Sequence, residues 1–116
     1  MKKVLSLLAV TAALVTSPAL AQGDPSTVER GFYLCEMPGD AGTAVGIEQP
    51  EESFSIISAS RYSSMQGEGI YLRRGDRLIM TSGPRNGDTY KIVRRGFLRK
   101  IVDDAPSRLR CIRQAR

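Results

Sequence analysis

The 116-residue chain has no histidine and no tryptophan. Without histidine there is no Ser-His-Asp or Cys-His nucleophile, and the commonest general base and metal ligand is missing. Without tryptophan, a carbohydrate platform has to be built from tyrosine. Cysteine is scarce too, with only Cys35 and Cys111. In an oxidising compartment an even pair reads as one disulfide, which leaves neither a thiolate nucleophile nor a zinc site. The remaining catalytic candidates are carboxylates, Glu51-Glu52 and Asp103-Asp104. Each pair sits side by side in a loop, whereas glycoside hydrolysis needs two carboxyls facing each other across a cleft. The sequence therefore predicts no catalytic residue, no metal and no cofactor. Beyond residue 21 no stretch repeats its apolar residues with a helical period, so no amphipathic helix is expected.

The one long apolar run lies at the start. Lys2 and Lys3 precede Val4 to Val15, Ser17-Pro18 ends the run, and Ala19-Leu20-Ala21 is an A-x-A cleavage site. This reads as a secretory signal peptide over residues 1–21, too short to span a bilayer stably. No cysteine follows the cleavage site, which argues against a lipid anchor there. The mature protein is expected to begin near Gln22, outside the cytoplasm, in the periplasm or secreted, and not to span the membrane.

Residues 22–30 are polar, contain Pro25 and read as a flexible lead. Residues 31–113 read as one β-domain. Gly31 to Glu36 is a first strand. Met37 to Glu52 is a long surface loop with room for a short turn of helix. From Ser53 onward short β-branched or aromatic segments alternate with turn residues. Gly67 and Gly69 read as flanking a turn, with the next strand from Ile70. Arg74-Gly75-Asp76, Gly83-Pro84-Arg85-Asn86-Gly87, Arg95-Gly96 and Asp103 to Pro106 read as further reversals. The glycine-rich segment at 83–87 lacks the Gly-Lys-Ser/Thr ending and the following helix of a phosphate-binding loop. The fold class is all-β, a small antiparallel barrel or sandwich of about seven or eight strands. A Cys35–Cys111 bridge between the first and last strands brings the chain ends of the sheet together and favours the barrel.

Alternation points Tyr33 inward with Cys35, and Leu109 inward with Cys111. Tyr33, Tyr62, Tyr71 and Tyr90 read as core or rim, with a ligand pocket as the alternative. Charge is uneven. From Gln22 to Ser60 one base, Arg30, stands against seven acids, and from Arg61 to Arg116 fourteen bases stand against five. Such asymmetry marks either an anionic partner or well-solvated strand faces. The bases are not interleaved with stacking aromatics, which argues against nucleic acid. Arg61, Arg73 and Arg74 fall near strand ends, where loops can gather them on one rim.

The string Gly31-x-Tyr33-x-Cys35, Phe54-x-Ile56, Tyr62, Gly69-x-Tyr71, Met80-Thr81-Ser82-Gly83-Pro84, Gly87, Phe97-Leu98-Arg99 and Leu109-Arg110-Cys111 resembles small exported proteins of sphingomonad-like alphaproteobacteria. That resemblance implies a fold and a compartment and no activity. Some of that group are called elongation factor P, but the expected export and a length short of three barrel domains argue against that role. Ser58-Ala59-Ser60-Arg61-Tyr62-Ser63 with Arg74-Gly75-Asp76 is also similar to the membrane-bound inhibitors of c-type lysozyme. The Gly inside their Ser-rich motif and their lipid-attachment cysteine are missing here. Carried over, Ser60, Arg61 and Tyr62 near one loop and Arg73 or Arg74 near the next face a lysozyme's catalytic carboxylates, which a cation and a hydroxyl can satisfy. The leading expectation is an exported, non-enzymatic, monomeric binding module for a protein or an anionic envelope component. A periplasmic inhibitor of c-type lysozyme and a small-ligand carrier are the alternatives.

Overall fold

A computed structural model describes residues 27–39 and 45–115. The expected signal peptide and the first part of the lead lie outside them. Among the described residues nine strands are present: β1 Gly31–Met37, β2 Ile47–Glu48, β3 Phe54–Ile56, β4 Arg61–Ser64, β5 Gly67–Arg74, β6 Arg77–Met80, β7 Thr89–Arg94, β8 Phe97–Val102 and β9 Ala105–Arg113. All pairings are antiparallel. From β3 to β9 each strand pairs with the next, β3 pairs with β1, and β1 pairs with β9. The result is a closed up-and-down barrel of eight strands, with the short β2 extending β1 beyond its pairing with β3. The expected barrel is thus observed. The expected 37–52 loop contains β2 and a 3-10 turn at Pro50–Glu52.

Side chains alternate across the wall, and the inward set fills the barrel. Tyr33, Phe54, Tyr62, Leu78, Met80, Tyr90 and Leu98 are almost wholly buried, together with Cys35 and Cys111. Tyr33 stacks on Phe54 at 5.5 Å between ring centres, and Phe54 meets Tyr90 at 5.2 Å. Cys35 and Cys111 are register partners and are bridged. The bridge therefore staples the seam where the barrel closes, and it is compatible with an oxidising, exported compartment.

Both ends are closed by chain. One end carries Thr27 to Arg30, the β3–β4 link, and the turns at 75–76 and 95–96. There Val28 is buried and its amide donates to the Tyr71 hydroxyl, 3.2 Å. The Tyr33 hydroxyl donates to Glu29 O (2.7 Å), and Arg73 Nη1 donates to Thr27 O (2.8 Å). The last residues of the lead are thus anchored, because strand-end side chains satisfy their backbone carbonyls. The other end carries the 3-10 turn, the β4–β5 turn and the loop between β6 and β7. The Tyr62 hydroxyl donates to Ser82 O (2.7 Å) and accepts from the Arg85 amide (3.0 Å), tying that loop to the wall.

Two boundaries differ from the sequence reading: the last turn is only Asp103-Asp104, with β9 starting at Ala105 rather than beyond Pro106, and the start of β5 is earlier. The turn after β4 is Met65-Gln66, and β5 begins at Gly67 rather than Ile70. Gly69 is inside the strand because a β-carbon there would collide with Ser82 O and the Tyr62 ring. Its glycine serves a close approach of the 81–88 loop, not a turn.

Candidate functional site

The outward face of β5 through β9 is built by the same alternation that fills the core. Leu78, Tyr90, Leu98 and Cys111 point in, so their neighbours Arg77, Lys91, Arg99 and Arg110 point out. Tyr71 points in, so Arg74, three residues on, points out. Register then decides which of these meet. Arg74 is opposite Arg77, Arg77 opposite Lys91, Lys91 opposite Arg99, and Arg99 opposite Arg110. Five cations therefore occupy one continuous cross-strand row over five adjacent strands. With about 4.8 Å between strands, the row is about 19 Å long.

Two acids touch the row. The Asp76 carboxylate accepts from Lys91 Nζ at 3.1 Å and lies 3.7 Å from Arg77 Nε. The Lys91 hydrogen bond, then the Lys91 charge and that of Arg77, hold its carboxyl below the usual range. At the other end Arg110 Nε donates to Glu36 Oε2 at 2.7 Å. Arg74 is paired with Arg77 through the backbone ladder, and among the described residues its side chain makes no hydrogen bond or ion pair. Arg94 adds a further cation beside the row, its guanidinium 4.6 Å from the Phe97 ring centre. The row is flanked by apolar outward positions, Leu72, Ile79 and Ile101 on one side and Val93, Phe97 and Ile112 on the other.

The residues singled out from sequence are distributed differently. Ser60, Arg61, Arg73 and Arg74 all lie toward the end that carries the lead. Arg61 is opposite Ile70, four residues short of Arg74 on the neighbouring strand, or about 13 Å along it. Arg61 is exposed and paired with Glu68 at 2.8 Å. Arg73 is committed to Thr27 O and Gly75 O. Tyr62 is fully buried and its hydroxyl is engaged by Ser82 and Arg85, so it offers a partner no side-chain surface. Arg74 alone of the set belongs to the row. Arg77, Lys91, Arg99 and Arg110 were legible from sequence only as members of a basic half. The two-residue turn Gly75-Asp76 is the one local signal that places Arg74 opposite Arg77.

The opposite wall has another character. Phe32, Leu34, Pro50, Ser55, Ser63 and Met65 line an open groove of about 540 Å³ with Glu48 at its edge. Ser53 and Ser64 also line it, and Ser55 and Ser63 are register partners. Among the described residues no group of three or more His, Cys, Asp and Glu converges as metal ligands would. No helix of the described residues is long and apolar enough to cross a membrane. No protein family, curated protein or solved structure matches the chain.

Proposed function

We propose that the chain is an exported, non-enzymatic binding module that docks its cationic wall on an anionic partner in the periplasm or outside the cell. The observation that carries this reading is the Arg74-Arg77-Lys91-Arg99-Arg110 row. Like charges placed directly opposite each other on a sheet are destabilising. A wall kept soluble by charge does as well with acids interspersed. Four successive like-charge pairs work against stability and favour an anion that neutralises them.

The test is binding of the mature protein to isolated cell-envelope fragments across a salt series. Exposed charge contacts are screened severalfold more strongly at 500 mM than at 50 mM salt, so binding is expected to fall steeply over that range. Neutralising Arg74, Arg77 and Arg99 together as glutamine is expected to abolish the salt-sensitive part. Salt-independent binding that this triple variant retains overturns the reading.

Inhibition of c-type lysozyme is the second reading. It is favoured by one observation: the loops bearing Ser60-Arg61 and Arg74-Gly75-Asp76 share an end of the barrel. A direct lysozyme activity assay separates it from docking to the envelope. The carrier reading has less support, because core side chains fill the barrel and chain covers both mouths.

A further inference from the structure

We infer that the partner of the cationic wall is a linear, flexible anionic polysaccharide laid across the strands, an inference that rests on the docking reading above. Three features of the row select this chemistry. The first is its path. The row runs perpendicular to strands that are themselves tilted in a closed barrel, so it winds around the wall rather than along the axis. It starts at Arg74, the last residue of β5, at the end that carries the lead. It finishes at Arg110 beside Glu36, near the end of β1, at the opposite mouth. The second feature is curvature. Five of the eight strands contribute, so the row covers about half of a convex circumference. A flat bilayer reaches only two or three neighbouring strands of such a surface at once, whereas a flexible polymer follows all five. The third feature is the flanks. Leu72, Ile79 and Ile101 on one side and Val93, Phe97 and Ile112 on the other give the charge row apolar borders. A sugar polymer has the matching arrangement, with carboxylate, sulfate or phosphate groups on a body whose C–H faces are apolar.

Single-stranded nucleic acid is also a flexible polyanion, but it binds through aromatic stacking platforms. All four tyrosines are buried in the core, and Arg94 lies over the Phe97 ring. The row therefore offers charge and apolar surface beside a single ring, Phe97, rather than a run of stacking platforms.

Asp76 gives the inference its most specific consequence. Its carboxylate, more than half exposed, already lies between Lys91 and Arg77 as a polymer's anionic group would. It competes with the ligand for these two cations. Asp76→Asn is therefore expected to tighten binding, while removal of a row cation weakens it.

The experiment measures binding of the protein exported from the full chain to four probes: alginate, dextran sulfate, vesicles rich in anionic lipid, and poly(dT). Alginate and dextran sulfate distinguish carboxylate from sulfate as the preferred group. Binding to at least one of them is expected to exceed binding to vesicles and poly(dT). The slope of log affinity against log salt is expected to correspond to about three to five released ions. Arg74→Gln and Arg99→Gln are each expected to lower affinity on the order of fivefold. Arg30→Gln makes the same charge change off the row and is expected to lower it far less. Asp76→Asn is expected to raise it. Equal losses for Arg30→Gln and Arg99→Gln, or an Asp76→Asn variant that binds no better, overturn the inference. If vesicles or poly(dT) bind and the polysaccharides do not, the anionic-docking reading stands and the polymer falls. If no probe binds in a row-dependent manner and envelope fragments do not bind either, both fall. Circular dichroism of each variant confirms that the barrel is intact.

Discussion

Arg85 places a guanidinium in the closed end of the barrel with oxygens on every side. Nη1 donates to Glu52 O, Nη2 to Glu51 O and Ser53 O, and Nε to Gln66 Oε1, all between 2.7 and 3.2 Å. The side chain also lies 5.8 Å from the Phe54 ring centre. One planar cation thus holds the 3-10 turn, the start of β3 and the β4–β5 turn together. Nothing in Gly83-Pro84-Arg85-Asn86-Gly87 announces this, since an arginine between turn residues reads as solvated. Arg85→Ala is expected to lower unfolding free energy by about 2–4 kcal/mol, measured by urea denaturation, because it strands buried carbonyls. Arg85→Lys is not expected to rescue it, because an ammonium cannot present the same fork of donors. Full stability in the lysine variant contradicts that account. The tyrosines carry a second residue-scale consequence. Burial foremost, then the Glu29 charge, pushes Tyr33 up to about 12, and burial also raises Tyr90. An unfolded tyrosine ionises near 10. Below pH 10 both states keep these protons, and the two rings add no pH dependence. Between about 10 and 12 the unfolded chain loses protons that the folded chain retains, so stability falls as pH rises. Tyr90→Phe removes one such group while keeping the ring. It is expected to move the midpoint of alkaline unfolding, followed by circular dichroism, to higher pH.

At the scale of elements, turn chemistry was readable and register only in part. Gly75-Asp76 and Arg95-Gly96 are the two-residue reversals the sequence suggests. The first fixes Arg74 opposite Arg77 by counting alone. Counting from the second gives the wrong partner for Lys91. A bulge between Ile92 and Arg94 shifts the ladder by one residue and brings Lys91 opposite Arg99. A second shift, between Arg99 and Ile101, sets Arg99 opposite Arg110. Bulges arise from twist and closure of the whole sheet, so no local pattern revealed them, and with them went most of the row. The β8–β9 turn shows the opposite case, with a readable turn and suboptimal residues. Asp103 and Asp104 both have positive φ, 54° and 64°, as the favoured two-residue hairpin turn requires. Asparagine then glycine fits those angles better than two neighbouring aspartates. The double variant Asp103→Asn, Asp104→Gly is expected to raise stability by about 1 kcal/mol, read as an increase in Tm. An unchanged or lower Tm contradicts this.

The whole molecule is a meander, and this is why the charge asymmetry of the sequence survives folding. When consecutive strands are neighbours around a barrel, the two halves of the chain become opposite walls. The acidic first half forms the wall with the apolar groove, and the basic second half forms the wall with the cation row. The walls meet at two seams. The β4–β5 seam is a hairpin, held by its own turn. The β1–β9 seam joins residues 76 apart in sequence, and its ladder, Tyr33 to Glu36 against Arg113 to Arg110, has Cys35–Cys111 within it. Closing a loop of that length in the unfolded chain is entropically costly, on the order of 4–5 kcal/mol in the chain-entropy treatment. The pairing of the cysteines followed from their count and their places in the first and last strands, and it was the most legible long-range feature of the chain. Replacing both cysteines with alanine is expected to lower stability by about 2–5 kcal/mol in urea denaturation. The loss is expected to show first at the seam. Hydrogen exchange of the β1 and β9 amides, and of the Gln114 amide that donates across the seam to Phe32 O, should accelerate more than that of β5 and β6. Uniform acceleration around the barrel contradicts a seam-specific role. It would mean that the bridge acts only on the unfolded chain and that the β1–β9 ladder holds the barrel shut without it.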